Sequence, residues 1–215
     1  NRGQILYRLA EMLEARHAEM SAALMLDGRT AQAAEKEVSA TIDRLVHYAG
    51  WTDKYATLLG SVNPVASAHF NFSVTEAMGV IGVIAPDEAP LLGLLTLILP
   101  IITSGNSVVA LASTTHPYPS ILLGEMLATS DLPGGVVNLL CGDRAELLPT
   151  FSTHEQIRGV SAVLSPEQHK ILDLAAAESV KRVKVMPAEA KLAWDQADCQ
   201  GLEWIRAFVE CKTCL

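Results

Sequence analysis

The hydrophobic pattern changes period twice along the chain. Ile5, Leu6, Leu9, Met12, Leu13, Met20 and Leu24 recur at helical spacing with charged residues between them. They predict an amphipathic helix over 5–25, stopped at Asp27-Gly28. A second helix is predicted from about Ala31 to Tyr55, with Val38, Ile42, Leu45, Val46 and Ala49 on one face. After the turn-rich segment 60–64 the period becomes two. Within 68–75, Ala68, Phe70, Phe72 and Val74 share one face, and His69, Asn71, Ser73 and Thr75 the other. This is the pattern of a half-buried strand, here able to form a hairpin with residues 58–62. The chain ends in the same way, with Ile205, Ala207, Val209, Cys211, Thr213 and Leu215 alternating with Arg206, Phe208, Glu210 and Lys212. A strand over 203–215 follows, and wet-faced alternation of this kind belongs to antiparallel or edge positions.

Between these ends lie five short β-rich runs at 80–85, 107–112, 136–140, 159–164 and 182–186. Helical stretches at 89–103, 117–129, 143–152 and 166–178 separate them. Four successive β-α-β units imply a parallel sheet covered on both faces. Ser165-Pro-Glu-Gln168 reads as a helix start, with Ser as N-cap, Pro at the first helical position and Gln three residues on. The fold class predicted is therefore α/β: a doubly wound Rossmann-like parallel sheet with N-terminal helices and a small antiparallel flap. The boundaries that follow are helices over 1–57, a flap hairpin over 58–78, the Rossmann-like unit over 79–200 and a terminal flap strand over 201–215. The apolar run 91–102 is too short for a bilayer and is interrupted by Pro100, so it reads as a buried core helix.

Composition narrows the function classes. The 215 residues are 50% hydrophobic and 19% charged, which excludes disorder. A net charge of −8 without basic blocks argues against nucleic acid as a partner, and no membrane association is expected. Four cysteines are too few for a disulfide scaffold, so a reduced, cytoplasmic protein is expected. Cys211 and Cys214 have CxxC spacing but no second pair, and the six histidines are scattered, so no metal site is expected. Cys141 reads as a small core residue after a strand, and Cys199 as a bland linker cysteine without a base in sequence view. Asn1 is not an initiator Met, which suggests a piece of a longer polypeptide.

A doubly wound sheet raises the question of a dinucleotide, yet no GxGxxG follows a strand; Gly79-Val-Ile-Gly82 lies inside one and Leu132-Pro-Gly-Gly135 opens one. The order of segments nevertheless resembles the aldehyde dehydrogenase superfamily. The residues that carry the resemblance are Tyr48-Ala-Gly-Trp-Thr-Asp-Lys54, Glu76-Ala-Met-Gly-Val-Ile-Gly-Val-Ile-Ala-Pro86, Pro90-Leu-Leu92, Gly105-Asn-Ser-Val-Val109, Leu132-Pro-Gly-Gly-Val-Val-Asn138, Gly142 and the terminal Phe208-Val-Glu-Cys-Lys-Thr-Cys-Leu215. The family has an NAD(P)-binding domain, a catalytic domain with a nucleophilic cysteine and an antiparallel oligomerisation flap.

The resemblance implies which positions should carry chemistry. The catalytic domain would be inserted after the last strand of the cofactor sheet, but the chain passes from Pro187 to Gly201 in only 15 residues. Met186 stands where the general-base Glu would be, with Glu189 three residues on, and Glu88 stands where an oxyanion-stabilising Asn is needed. Leu111 and Thr114 replace the Lys and Glu that hold the adenosine ribose. Leu164 replaces the glycine beside the pyrophosphate, with Glu167 adding negative charge. No catalytic residue, cofactor-binding residue or cofactor is therefore expected. The chain resembles the truncated second units of family-sixteen aldehyde dehydrogenases and of long proline-catabolic bifunctional enzymes. Such a unit implies a non-catalytic assembly module whose partner is a catalytic dehydrogenase domain of the same polypeptide, in a homo-oligomer. Phe70, Phe72, Val74, Trp204, Phe208 and Val209 are the expected interface residues. Two rival readings are a residual NAD(P)-binding aldehyde oxidoreductase and a nucleotide-sensing regulator.

Overall fold

A computed structural model of the chain describes residues 1–26, 28–190 and 192–215, and the predicted helix stop at Asp27 lies outside the described residues. The helix expected over 5–25 is two helices, α1 (Arg2–Ala15) and α2 (His17–Met25). They part at Arg16, which leaves the helical region at φ −106 and ψ 21. The break lets Leu6, Leu9 and Leu13 of α1 and Met20 and Leu24 of α2 all reach the core. Both helices pack on α3 (Ala31–Trp51), which starts with the Thr30 hydroxyl accepting from the Ala33 N–H. Val46, expected on the buried face of α3, is exposed; Thr41, Arg44 and Tyr48 are buried instead. The helix ends earlier than expected, and a separate turn, α4 (Tyr55–Leu59), follows.

Strand β1 (Ser61–Asn63) pairs antiparallel with β2 (Asn71–Ala77), with Val62 opposite Phe72. The hairpin exists, but it lies a few residues later than the alternation suggested, and Phe70 sits before the strand rather than in it.

The main sheet has five parallel strands: β3 (Val80–Ile84), β4 (Ser107–Leu111), β5 (Val137–Leu140), β6 (Ile157–Leu164) and β7 (Arg182–Pro187). Their crossovers are α5 (Leu92–Thr103), α6 (Tyr118–Thr129), α7 (Arg144–Thr153) and α8 (Pro166–Glu178). The order β5-β4-β3-β6-β7 is doubly wound, with the reversal between β3 and β6. Every residue of α5 is buried, Pro100 included, because the helix lies between the sheet and α1–α3. The opposite face carries a smaller core of Ile84, Leu111, Leu148, Phe151, Val160, Leu164 and Leu172 under α7 and α8. A β-carbon at Gly82 would come within 2.7 Å of the Phe151 ring, so only glycine lets α7 approach the central strand. Among the described residues, no helix is long and apolar enough to cross a membrane.

The end of the chain corrects the sequence reading. Residues Leu202–Arg206 form a helix, α9, and only Val209–Cys214 is a strand, β8, paired antiparallel with β2. Trp204, Phe208 and Val209, expected at an interface, are buried in this chain's own core. Phe208 is 1% exposed, and its ring fills the space above Gly159 of β6. The chain must cross from β7 to the small sheet, and a helical turn puts three large side chains inward over that crossing.

Val180, just beyond α8, adopts φ 52 and is 88% exposed. The N–H groups of Val180 and Lys181 return to Ala177 and Ala176 as in a glycine-type helix stop. A β-branched residue is strained there. Val180→Gly is expected to raise stability by about 0.5–1 kcal/mol, less than the full strain because glycine loosens the unfolded chain. Urea denaturation of the two proteins measures it.

Candidate functional site

In a doubly wound sheet, ligands sit beyond the C-terminal ends of the strands near the order reversal. The loop after β3, residues 85–91, occupies that place, and its two acidic side chains both face protein donors. Asp87 Oδ1 accepts from Ser113 Oγ at 2.7 Å, from the Thr114 N–H at 2.9 Å and from the Thr115 N–H at 3.4 Å. Its Oδ2 accepts from Arg144 Nη2 at 2.9 Å, and the same nitrogen donates to the Ala85 carbonyl at 2.8 Å. Burial opposes ionisation of Asp87, but Ser113, Arg144 and the two N–H groups outweigh it and hold the carboxyl below its ordinary range. Sequence reading missed Asp87 and Arg144, since neither belongs to a short motif; the sheet brings them together from 57 residues apart.

The second acid, Glu88, accepts from the Trp194 indole N–H at 3.1 Å, and its carbonyl accepts from Arg29 at 2.7 Å. Arg29 also pairs with Glu37 at 3.1 Å. Glu37 in turn takes the N–H groups of Leu91 and Leu92 at the start of α5, both at 3.1 Å. A carboxylate from α3 thus fills the positive end of α5. The position at which the resemblance implies an oxyanion donor therefore holds an acid already bonded to a tryptophan.

That tryptophan belongs to the short segment between β7 and α9, and the segment is locked from within. Arg44 is 3% exposed and donates to Trp194 O at 2.6 Å, to Thr96 Oγ1 at 2.8 Å and to Cys199 O. Lys36 pairs with Asp195 at 2.7 Å, and the Gly201 N–H donates to Tyr48 Oη at 3.3 Å. Met186, where the resemblance implies a general base, is buried in the core that includes Trp194, Cys199 and Trp204. Glu189 is exposed in the turn Ala188–Ala190. Cys199 is 5% exposed, and burial pushes its thiol up despite Arg44, opposite to what a nucleophile needs.

The positions expected for a cofactor are filled too. Leu164 is 1% exposed, packed under α8, and Leu111 is fully buried. The start of α8 is closed by its own capping box: Ser165 Oγ accepts from the Gln168 N–H at 3.3 Å and Gln168 Oε1 from the Ser165 N–H at 3.2 Å. Ser165 Oγ also donates to Glu167 at 2.9 Å. A dinucleotide needs open N–H groups at a helix start and a close backbone approach beside them. The residues present do not fit one: Gln168 and Glu167 take that helix start, Leu164 fills the approach, and Asp87, from the loop after β3, takes the donors of the loop after β4. A cavity of about 570 Å³ lies at the other end of the sheet, beside Arg2, Asp53, Ser107 and Val136.

The remaining expected positions divide. On the small sheet, Phe70 is 67% exposed and meets the Phe72 ring at 5.4 Å, and Val74 is exposed beside them. The opposite face is polar, with Asn63 donating to Asn71 and Ser73, and Ser73 bonded to Thr213. Cys211 and Cys214 are free; three residues apart on a strand, they fall on opposite faces. Cys141, expected in the core, is exposed, because β5 is an edge strand. Among the described residues there is no cluster of three metal-ligating side chains.

Asp87→Asn should lower stability at pH 7 by about 1–2 kcal/mol, since Arg144 loses its charge partner while partly buried. Because the native carboxyl is held low, its contribution is present above the ordinary carboxylate range and is lost as the pH falls through the native value. The gap between the two proteins should therefore close below about pH 4, read from melting curves across pH. Arg44→Met should cost about 2–4 kcal/mol, because two buried carbonyls and a hydroxyl lose their donor, read by denaturant unfolding.

The small sheet, the large sheet and the helices together match known proteins. A family model described as the aldehyde dehydrogenase family covers residues 1–189. The chain is 31% identical to an aldehyde dehydrogenase of Agaricus bisporus over 94% of its own length and 41% of that protein. It is 32% identical to retinal dehydrogenase 2 of Mus musculus over 85% of itself and 35% of that protein. The NAD+ complex of an aldehyde dehydrogenase from Bacillus cereus superposes with a TM-score of 0.82 at 26% identity, over 86% of this chain and 38% of that one. The chain thus spans roughly two-fifths of the length of each of these relatives. With the order of segments, the sheet topology and the family model in agreement, this chain belongs to the aldehyde dehydrogenase family.

Proposed function

We propose that this chain is a non-catalytic assembly module of a larger NAD(P)-dependent aldehyde dehydrogenase. It works beside a catalytic dehydrogenase domain of the same polypeptide, in a cytoplasmic homo-oligomer. The observation that carries the reading is the segment between β7 and α9. Where the family resemblance implies an inserted catalytic domain, a short stretch is clamped by Arg44 and covers Glu88 with Trp194. Acyl chemistry needs a thiolate, a base and donors aimed at a developing oxyanion. The base and oxyanion positions that the resemblance implies carry a methionine and an engaged carboxylate, and the cysteine of this segment, Cys199, is a buried thiol.

The small sheet supplies the assembly role. Its exposed residues Phe70 and Val74, with Phe72 between them, offer an apolar face, and three strands alone have little core to hold such a face folded in water. Covering it with another subunit or domain removes that area from water. The free thiols suit a reducing compartment.

Two measurements test the reading. Light scattering should give a dimer or larger, and Phe70→Ser with Val74→Lys should shift it toward monomer with little change in far-UV circular dichroism; an oligomer indifferent to both changes would refute the assembly role. Truncation at Gly201 is a poor test, because it removes the buried Trp204 and Phe208. Calorimetric titration with NADH and NADPH should show no binding up to millimolar concentration, and binding with defined stoichiometry would establish the rival reading of a residual oxidoreductase.

A further inference from the structure

We propose that the cavity at the N-terminal end of the large sheet is a binding site for a zwitterion, an α-amino acid with an apolar side chain. Its volume, about 570 Å³, is that of a small-molecule site. Four segments converge on it: the start of α1, the end of α3, the turn from α5 into β4 and the loop before β5. It lies at the opposite end of the strands from Asp87 and Arg144, away from the positions where the resemblance implies a cofactor. Ile5 of α1 and Leu132 and Val136 of the loop before β5 give it apolar walls.

Two opposite charges stand at its rim, and each has bonding capacity to spare. Arg2 is held in place by one bond, from Nη1 to the Thr103 carbonyl at 2.6 Å, at the C-terminal end of α5. A β-carbon on Gly105, where φ is 92, would come within 3.2 Å of Arg2 Nη2. The glycine therefore lets the guanidinium lie against the turn into β4. Among the described residues, the other N–H groups of Arg2 have no acceptor. Asp53, just after α3, is exposed and makes no hydrogen bond or ion pair among the described residues. The Ser107 hydroxyl, in the same lining, is unbonded on the same terms.

The two charges are brought close without meeting. Gly3, beside Arg2, packs on Thr52, beside Asp53, so tightly that a β-carbon there would lie 2.8 Å from the Thr52 hydroxyl. Arg2 and Asp53 thus share one rim, yet they form no ion pair with each other. That spacing selects a ligand. An anion alone would gain Arg2 but face Asp53, and a cation alone would meet the reverse. A molecule with a carboxylate and an ammonium on one carbon satisfies both: the carboxylate accepts from Arg2 and the ammonium donates to Asp53. The Ser107 hydroxyl can donate to the first or accept from the second. The side chain then lies on Ile5, Leu132 and Val136, out of water.

The test is calorimetric titration of the full chain with L-leucine, beside two analogues that each keep one charge, isocaproate and isoamylamine. Leucine should bind one-to-one, and each analogue at least about tenfold more weakly, because it forgoes a charge-assisted bond and faces a like charge. Asp53→Asn changes an exposed side chain without a described partner. It should weaken leucine about tenfold while leaving isocaproate binding as tight or tighter. Leu132→Trp fills the cavity from a partly exposed position and should remove leucine binding. The absence of any leucine binding at millimolar concentration would overturn the proposal. So would an analogue that binds as tightly as leucine, or leucine binding that Asp53→Asn leaves unchanged. None of these outcomes depends on whether the chain binds NAD(P) or forms oligomers.

Discussion

A buried guanidinium must have its donors satisfied, and in this chain that requirement organises one whole side of the molecule. Among the described residues, Arg44 donates to no carboxylate; its donors go to two backbone carbonyls and a threonine hydroxyl. Burial lowers its affinity for the proton, the sign of a charge held out of water. Such a charge is tolerated only while those oxygens stay in place. The carbonyls of Trp194 and Cys199 therefore cannot leave, and the stretch between β7 and α9 is fixed against α3 and α5. Trp194 then reaches Glu88, Cys199 goes inward, and Gly201 turns at φ 106 into α9 under the Tyr48 hydroxyl.

A second regularity is that carboxylates of the chain itself sit where a sheet of this kind offers positive ends. Glu37 caps α5, Asp87 takes the N–H groups of the loop after β4 beside Arg144, and Glu167 lies in the first turn of α8. Each is matched to N–H or hydroxyl donors, which favours the ionised form and ties separate loops together. The same donors would be the ones available to an anionic ligand. The acids that give the chain its negative balance are thus partly structural, and at the C-terminal ends of β3 and β4 Asp87 takes up donors of both the β4 loop and Arg144.

The small sheet follows another logic. One face is a ladder of Asn, Ser and Thr side chains bonded to one another across three strands, and the other carries Phe70, Phe72 and Val74. Polar groups that already hold one another are content in water, whereas the aromatic face is not. Strand β8 joins this sheet to the main core through Phe208 and Val209. The orientation of the apolar face is therefore fixed by side chains that are themselves buried.

How much of this was legible in the sequence depends on the range of the interaction involved. The five β-rich runs and the helices between them, the capping box at Ser165 and the buried helix α5 were readable because period, propensity and caps act within a few residues. So was the chemistry that Glu88, Leu164 and Met186 can offer, since a side chain's chemistry is set by its identity. The sequence did not disclose the break at Arg16, the helix at Leu202–Arg206 or the inward turn of Trp204 and Phe208. Alternation at the chain's end looked like a strand until the crossing over β6 demanded a helical turn. Likewise, the meeting of Asp87 with Arg144 and of Arg44 with the carbonyls of Trp194 and Cys199 was decided only by the tertiary structure. Those contacts join residues far apart in the chain, and which of them form depends on the order in which the strands lie side by side.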